Sequence, residues 1–217
     1  LEANGAKVST VEHVLAALVG LGVDNCLLEI NGPEMPIMDG SSQPFVELIE
    51  EAGVVEQDAA KIWYSIDENI YYYDEVKRVE MVAMPAVEYQ VTTLIDFNSP
   101  VLGTQHAGLK HIRDFRDEIA SCRTFCFLHE LEMLLDNNLI KGGDLNNAIV
   151  IVDKPVDDKE MIRLKKIFKK EKIEVKSEGY LNNLELRFPN EPARHKLLDV
   201  IGDLALLDLG LLFEHMQ

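Results

Sequence analysis

The sequence predicts an α+β protein of two domains, each a sheet layered on helices. Three observations carry this. Residues 1–60 hold two helical stripes separated by turns, residues 61–97 read as successive strands, and helical periodicity then returns toward the end of the chain. The polar, acidic run from Val54 to Ala60 marks the predicted boundary, which gives a first domain at 1–60 and a second at 61–217.

Each element has its own signal. Behind a Ser9-Thr10 cap, Val11, Val14, Leu15, Leu18 and Val19 fall on one helical stripe, and Gly20 and Gly22 end it. Asn25 to Ile30 is aliphatic enough for a strand, Asn31-Gly32-Pro33 and Pro36 to Ser42 are turns, and Pro44 to Ala52 resumes a helix. Strands are predicted at Trp63 to Ile66, Ile70 to Tyr73, Arg78 to Pro85 and Tyr89 to Asp96. Helices follow at Asp114 to Ala120 and Phe127 to Asn137, and a Gly-bearing loop from Ile140 to Asn147 leads into a strand at Ala148 to Val152. A helix with a basic face spans Asp157 to Lys170, and short strands are expected at Ile173 to Val175 and Leu184 to Arg187. Pro192 opens a last helix over Ala193 to Leu207.

Composition narrows the function classes. With 217 residues, 47% of them hydrophobic, the chain can build a true core. A formal net charge of -17 argues against a nucleic-acid or anionic-membrane surface, because a polyanion is repelled over most of the exterior. Cys26, Cys122 and Cys126 are too few and too irregular for a disulfide framework, which points to a reducing cytoplasm. No stretch reaches the roughly 18 apolar residues of a membrane span, so stable membrane insertion is not expected.

Two distant segments complement each other chemically. On the last helix His195, Asp199 and Asp203 follow one another at four-residue spacing and share a face, so His195 and Asp199 can hold one metal ion while Asp203 orients a neighbouring group. On the first helix Glu12 and His13 diverge by about 100°, so that one can ligate a metal while the other reaches a water molecule. Together they offer three ligands and a base, the inventory of a hydrolytic zinc site. The plain alternative is a solvated helix face and a surface Glu-His pair. Arg123-Thr124-Phe125 places a hydroxyl beside an aromatic ring: Thr124 could donate to a developing oxyanion and Phe125 line an apolar pocket, or the two could be a cap and a core residue. Lys196, with Arg123, Lys141 and Arg194, could supply the positive spot that an anionic substrate needs on so acidic a protein, or be solvated surface. His106, His111 and His129 have no ligand-spaced carboxylate and are read as structural.

These segments resemble the zinc-dependent UDP-3-O-acyl-N-acetylglucosamine deacetylases of lipid A biosynthesis. The resemblance is carried by Ser9-Thr10-Val11-Glu12-His13, Gly22-Val23-Asp24-Asn25, Pro36-Ile37-Met38-Asp39-Gly40-Ser41, Arg123-Thr124-Phe125, Gly142 to Ala148, and Arg194-His195-Lys196-Leu197-Leu198-Asp199 running on to Leu204, in the family's order. It implies two similar α+β domains whose helices face each other across the active site. It implies His13, His195 and Asp199 as zinc ligands, with iron(II) an alternative occupant of a two-His, one-carboxylate set. Glu12 becomes the general base for the attacking water, Thr124 an oxyanion donor, and Lys196 a substrate-binding cation. Asp203 becomes the partner of the proton donor. Phe125 and an insert at about 126–152 border an acyl passage. The implied substrate is an acylated UDP-glucosamine derivative, deacetylated with release of acetate.

Two departures qualify the implied mechanism. The family carries a segment before the Glu-His helix with which this sequence does not begin. Its general acid is a His in a Gly-His pair after the Asp203 helix, whereas this chain leaves the pattern at about Asp208, and His215 follows Glu214. Three readings follow: a zinc amidohydrolase, a catalytically incomplete fragment that binds metal or nucleotide sugar without turnover, or an interaction domain. Some family members are fused to a hydroxyacyl-carrier-protein dehydratase, so the resemblance also implies such a partner domain in a longer protein.

Overall fold

The computed structural model describes residues 1–61, 64–130, 147–167, 172–177, 179–181 and 184–214. It is a mixed helix and strand structure. In chain order the elements are β1 (Glu2–Ala3), β2 (Ala6–Lys7), α1 (Glu12–Gly20), α2 (Gln43–Ala52), β3 (Ile70–Asp74), β4 (Val79–Ala83), β5 (Val91–Asp96) and β6 (Thr104–Leu109). A 3-10 turn (Ile112–Asp114) then leads into α3 (Phe115–Glu118), followed by β7 (Phe125–Phe127), β8 (Ile149–Ile151), α4 (Asp158–Ile167) and α5 (Glu191–Glu214).

The strands pair two by two. β1–β2, β3–β4 and β5–β6 are antiparallel, and β7–β8 is parallel with Phe125 opposite Ile149. Along β5 the inward Val91 and Ile95 alternate with outward residues, as period-2 geometry requires of a sheet covered on one side. The cover is α5, which packs on β5 and β6 and is tied to β5 where Thr93 Oγ1 donates to the Ala193 carbonyl. β8 is buried on both faces. Ile149 and Ile151 join the main core, while Val150 and Val152 face Leu164 of α4 in a second, smaller one. The main core runs from Val14, Ala16 and Ala17 of α1 and Phe45 of α2 through to Leu197, Leu198 and Ile201 of α5.

Several expectations are corrected. Ser9 and Thr10 do not cap α1: its N-cap is Val11, and Thr10, held at φ +57°, gives its hydroxyl to Glu34 instead. The C-terminal expectation holds, because Gly22 at φ +69° lets the Gly22 and Val23 amides bond back to Val19 and Leu18. Asn25 to Ile30 forms no strand; Leu27, Leu28 and Ile30 are exposed, and apolar propensity without a neighbouring ladder does not make a strand. Leu184 to Leu186 also lacks strand structure, and Tyr64 to Ile66 is irregular. Thr104–Leu109, with no strand signal of its own beyond Thr104, is a strand because it pairs along the whole of β5. Phe127 ends β7, and the helix expected from it starts one residue later, with 128–130 helical and 131–137 outside the described residues. Trp63, most of the insert at 126–152, Lys141 and His215 lie outside the described residues.

Candidate metal centre

α1 meets α5 closely enough that only glycine fits at the crossing. A Cβ on Gly202 would stand 2.1 Å from the Glu12 carbonyl oxygen, so the absence of a side chain there lets the first turn of α1 lie against α5. This approach puts Glu12 and His13 opposite His195 and Asp199. α1 is also fixed from the other side, where Ser42 Oγ donates to the His13 carbonyl.

One ring nitrogen each of His13 and His195 and a carboxylate oxygen of Asp199 lie within 4.8 Å of one another. His195 Nε2 is 3.3 Å from Asp199 Oδ1, and His13 Nε2 is 4.0 Å from the same atom. Ligand bonds of about 2.1 Å in a tetrahedral site give donor separations of about 3.4 Å, so the α5 pair already has that spacing and the His13 edge needs only a small closure.

The hydrogen bonds of the three residues also call for a cation. His195 Nδ1 donates to the Cys122 carbonyl at 3.0 Å, which leaves the Nε2 lone pair aimed at a carboxylate oxygen, two acceptors facing each other. A proton could resolve that clash, but burial pushes the His195 pKa down to about 4, against the pull of Asp199. His13 is likewise lowered, by burial first, with Asp199, Glu12 and Asp39 opposing. Asp199 Oδ1 and His13 Nδ1 are buried without a hydrogen-bond partner. Asp199 Oδ1, without a hydrogen-bond donor and faced by His195 Nε2 on its own helix and His13 Nε2 on the other, fits a divalent ion.

The other predicted residues surround this corner. Lys196 Nζ donates to Asp199 Oδ2 at 2.8 Å and lies 5.6 Å from the centre of the Phe125 ring, so Lys196 and Phe125 are brought together beside the ligands. Phe125 continues through Phe97 to Phe127 as edge-to-face aromatic contacts. Thr124 is half-buried, its amide bonded to the Gly40 carbonyl and its own carbonyl to the Ile149 amide. Glu12 is half-buried at the first turn of α1. Asp203 is exposed at the edge of the site, with its pKa raised by partial desolvation, then by Asp199 and Glu12.

The structure does not assemble the positive spot as expected. Arg123 is 4% exposed and bound to Glu191, and Arg194 lies over Phe188 and bonds to Asn190 and the Glu118 carbonyl, so of the described candidates Lys196 alone stands beside the ligands. Sequence reasoning missed Asp39, which accepts from the Ser41 amide and hydroxyl and from Arg187, and Glu191, whose main partner Arg123 lies far away in the chain. Asp39 stood inside the quoted Pro36 to Ser41 segment; for Glu191 only its place beside the helix-opening Pro192 could have drawn notice.

These residues define a two-histidine, one-carboxylate candidate metal centre held between two helices. Comparison with known proteins gives the chain a family: the profile described as LpxC, UDP-3-O-acyl N-acetylglycosamine deacetylase, matches residues 1–173 and 166–216, and the chain belongs to that family. It is 50% identical over 206 residues to the "Bifunctional enzyme LpxC/FabZ" of Chlorobaculum tepidum, covering 94% of this chain and 44% of that protein. It is 46% identical over 207 residues to the protein of the same name from Porphyromonas gingivalis, covering 95% and 45%. The "UDP-3-O-acyl-N-acetylglucosamine deacetylase" of Anaeromyxobacter sp. is 42% identical over 208 residues, covering 95% and 60%. The chain thus spans less than two thirds of the length of each of these relatives. No helix among the described residues is long and apolar enough to cross a membrane.

Proposed function

We propose that this chain carries the centre of a zinc-dependent deacetylase, which removes the N-acetyl group of UDP-3-O-acyl-N-acetylglucosamine and releases acetate at an early committed step of lipid A synthesis. The observation that carries this reading is the convergence of His13, His195 and Asp199, with Asp199 Oδ1 buried and unpartnered among them, in a member of that family. Residues 1–60 and 61–217 are read as the two domains whose helices α1 and α5 enclose the site.

His13, His195 and Asp199 would hold the ion, which when bound supplies Lewis acidity toward water and the acetamide carbonyl. Glu12, adjacent to His13 and half-buried, takes the proton of the attacking water. Thr124 donates its hydroxyl to the carbonyl oxygen as negative charge develops there. Lys196, lying over Phe125, exchanges its bond to Asp199 for an anionic part of the substrate, and Phe125 with its aromatic neighbours borders the acyl chain. Asp203, at the site's edge, orients the group that protonates the leaving amine.

The test is acetate release from the acylated UDP-glucosamine substrate by the purified chain. Turnover abolished by a chelator and restored by zinc supports the reading, and restoration only by iron(II) changes the ion without changing the ligands. Bound metal with no acetate released would instead identify a binding centre without turnover.

A further inference from the structure

We infer that Glu191 is a positioning residue for the metal centre, acting on His195 through a single peptide group, and that Arg123 holds it in place. The inference rests on the proposed metal centre and concerns residues outside its ligand set.

Glu191 is fully buried in the first turn of α5. Its Oε1 accepts from the Arg123 backbone amide at 3.0 Å and from Arg123 Nε at 2.9 Å; its Oε2 accepts from Arg123 Nη2 at 3.2 Å and from the Arg187 amide at 2.6 Å. Arg123 Nη2 also donates to the Glu185 carbonyl. Two oxygens thus meet four donors, with the guanidinium in the fork geometry that suits a carboxylate.

Burying an ion pair is a poor way to add stability, because desolvation cancels most of the attraction and apolar residues of the same size often do as well. The arrangement has a second consequence. The Arg123 amide that Glu191 accepts belongs to the same peptide unit as the Cys122 carbonyl, and that carbonyl accepts from His195 Nδ1. Glu191 and His195 are four residues apart on one face of α5. The helix therefore grips one peptide group at both ends: a carboxylate takes its N–H and an imidazole gives to its C=O. The contact with Glu191 fixes the tilt of the peptide plane, which fixes the His195 tautomer and ring direction. The same contact polarises the carbonyl, so His195 Nε2 becomes a better donor to a metal. A carboxylate bonded directly to a ligating imidazole would do this in one step; here a backbone amide stands between them.

The experiment measures the zinc dissociation constant of the folded chain by competition with a chromophoric chelator, alongside the melting temperature of the metal-free form. Glu191→Gln, which keeps the shape and removes the charge, is expected to weaken zinc binding about 10- to 100-fold. Arg123→Lys, which keeps the backbone N–H and the charge, is expected to weaken it less. Leu164→Ala, in the second core away from the site, serves as a control: it lowers the melting temperature and leaves zinc affinity unchanged. Should Glu191→Gln not fold with Arg123 stranded, the double variant Arg123→Leu/Glu191→Gln carries the same test. Unchanged zinc affinity in the folded Glu191 variants overturns the inference, as does an equal loss of affinity in Leu164→Ala at the same loss of melting temperature. Absence of zinc binding by the parent chain overturns the proposed function itself, and this inference with it.

Discussion

The corner where α1 crosses α5 and the hairpin of β3 and β4 are both rich in apolar residues, yet they differ in what those residues meet. At the corner His13, His195, Leu197, Leu198 and Ile201 are almost wholly enclosed, and polar atoms without partners are trapped among them. In the hairpin Tyr71, Tyr72, Tyr73, Met81 and Val82 are exposed, and the two strands bond to each other and to no third strand among the described residues. Local sequence makes either element; only enclosure from a second element turns ordinary polar side chains into chemistry. A lone two-stranded hairpin is marginally stable in water, whereas the burial of Leu197, Leu198 and Ile201 holds the helix crossing shut against the cost of its unpartnered polar atoms.

Four changes break or sharpen this contrast, in falling order of expected effect. Glu12→Ala should cost about a hundred- to ten-thousand-fold in deacetylation rate while bound metal is retained, because a general base is removed and no ligand is; a near-normal rate, or loss of metal, contradicts the role given to Glu12. Gly202→Ala places a methyl 2.1 Å from the Glu12 carbonyl and must push α1 off α5. The cost is about 1–3 kcal/mol or more, readable as a lower denaturation midpoint together with weaker metal binding. A change in neither would mean that the crossing is loose.

Acid should act on the corner and spare the hairpin. His195 has its pKa lowered by burial to about 4 from 6.5, so between those values the unfolded chain binds the proton that the folded chain refuses. Stability of the metal-free form should therefore fall as pH is lowered from about 6.5 toward 4, and level off below for this group. A melting temperature flat across that window would show His195 to be solvated. The smallest effect belongs to the hairpin: Tyr72→Thr should change stability by no more than about 0.5 kcal/mol, as for other exposed substitutions. A loss of several kcal/mol would reveal that the hairpin is covered.

What could be read from the sequence follows the same division. The α1 stripe, the α2 helix, β3 to β5 and the His-x3-Asp helix were legible because periodicity and spacing are local properties; spacing left open which of Glu12 and His13 turns toward that helix, and the choice of His13 came from the family resemblance. The strand expected at Asn25 to Ile30 and the unforeseen β6 are two sides of one lesson: a strand exists where a partner supplies a ladder, and the partner is not written in the segment itself. The sequence leaves Arg123 either in a positive spot for an anionic substrate or on solvated surface, and its burial against Glu191 depends on a contact 68 residues away. The role proposed for Glu191 was illegible for the same reason, since it rests on the direction in which one peptide group points.

The most direct test of the central claim is the metal content of the purified chain by elemental analysis, compared with that of His195→Ala. About one zinc or iron per parent chain, lost for the most part in His195→Ala, is the expected result. A parent chain without metal, or a variant that keeps it, would show that His13, His195 and Asp199 do not form the centre.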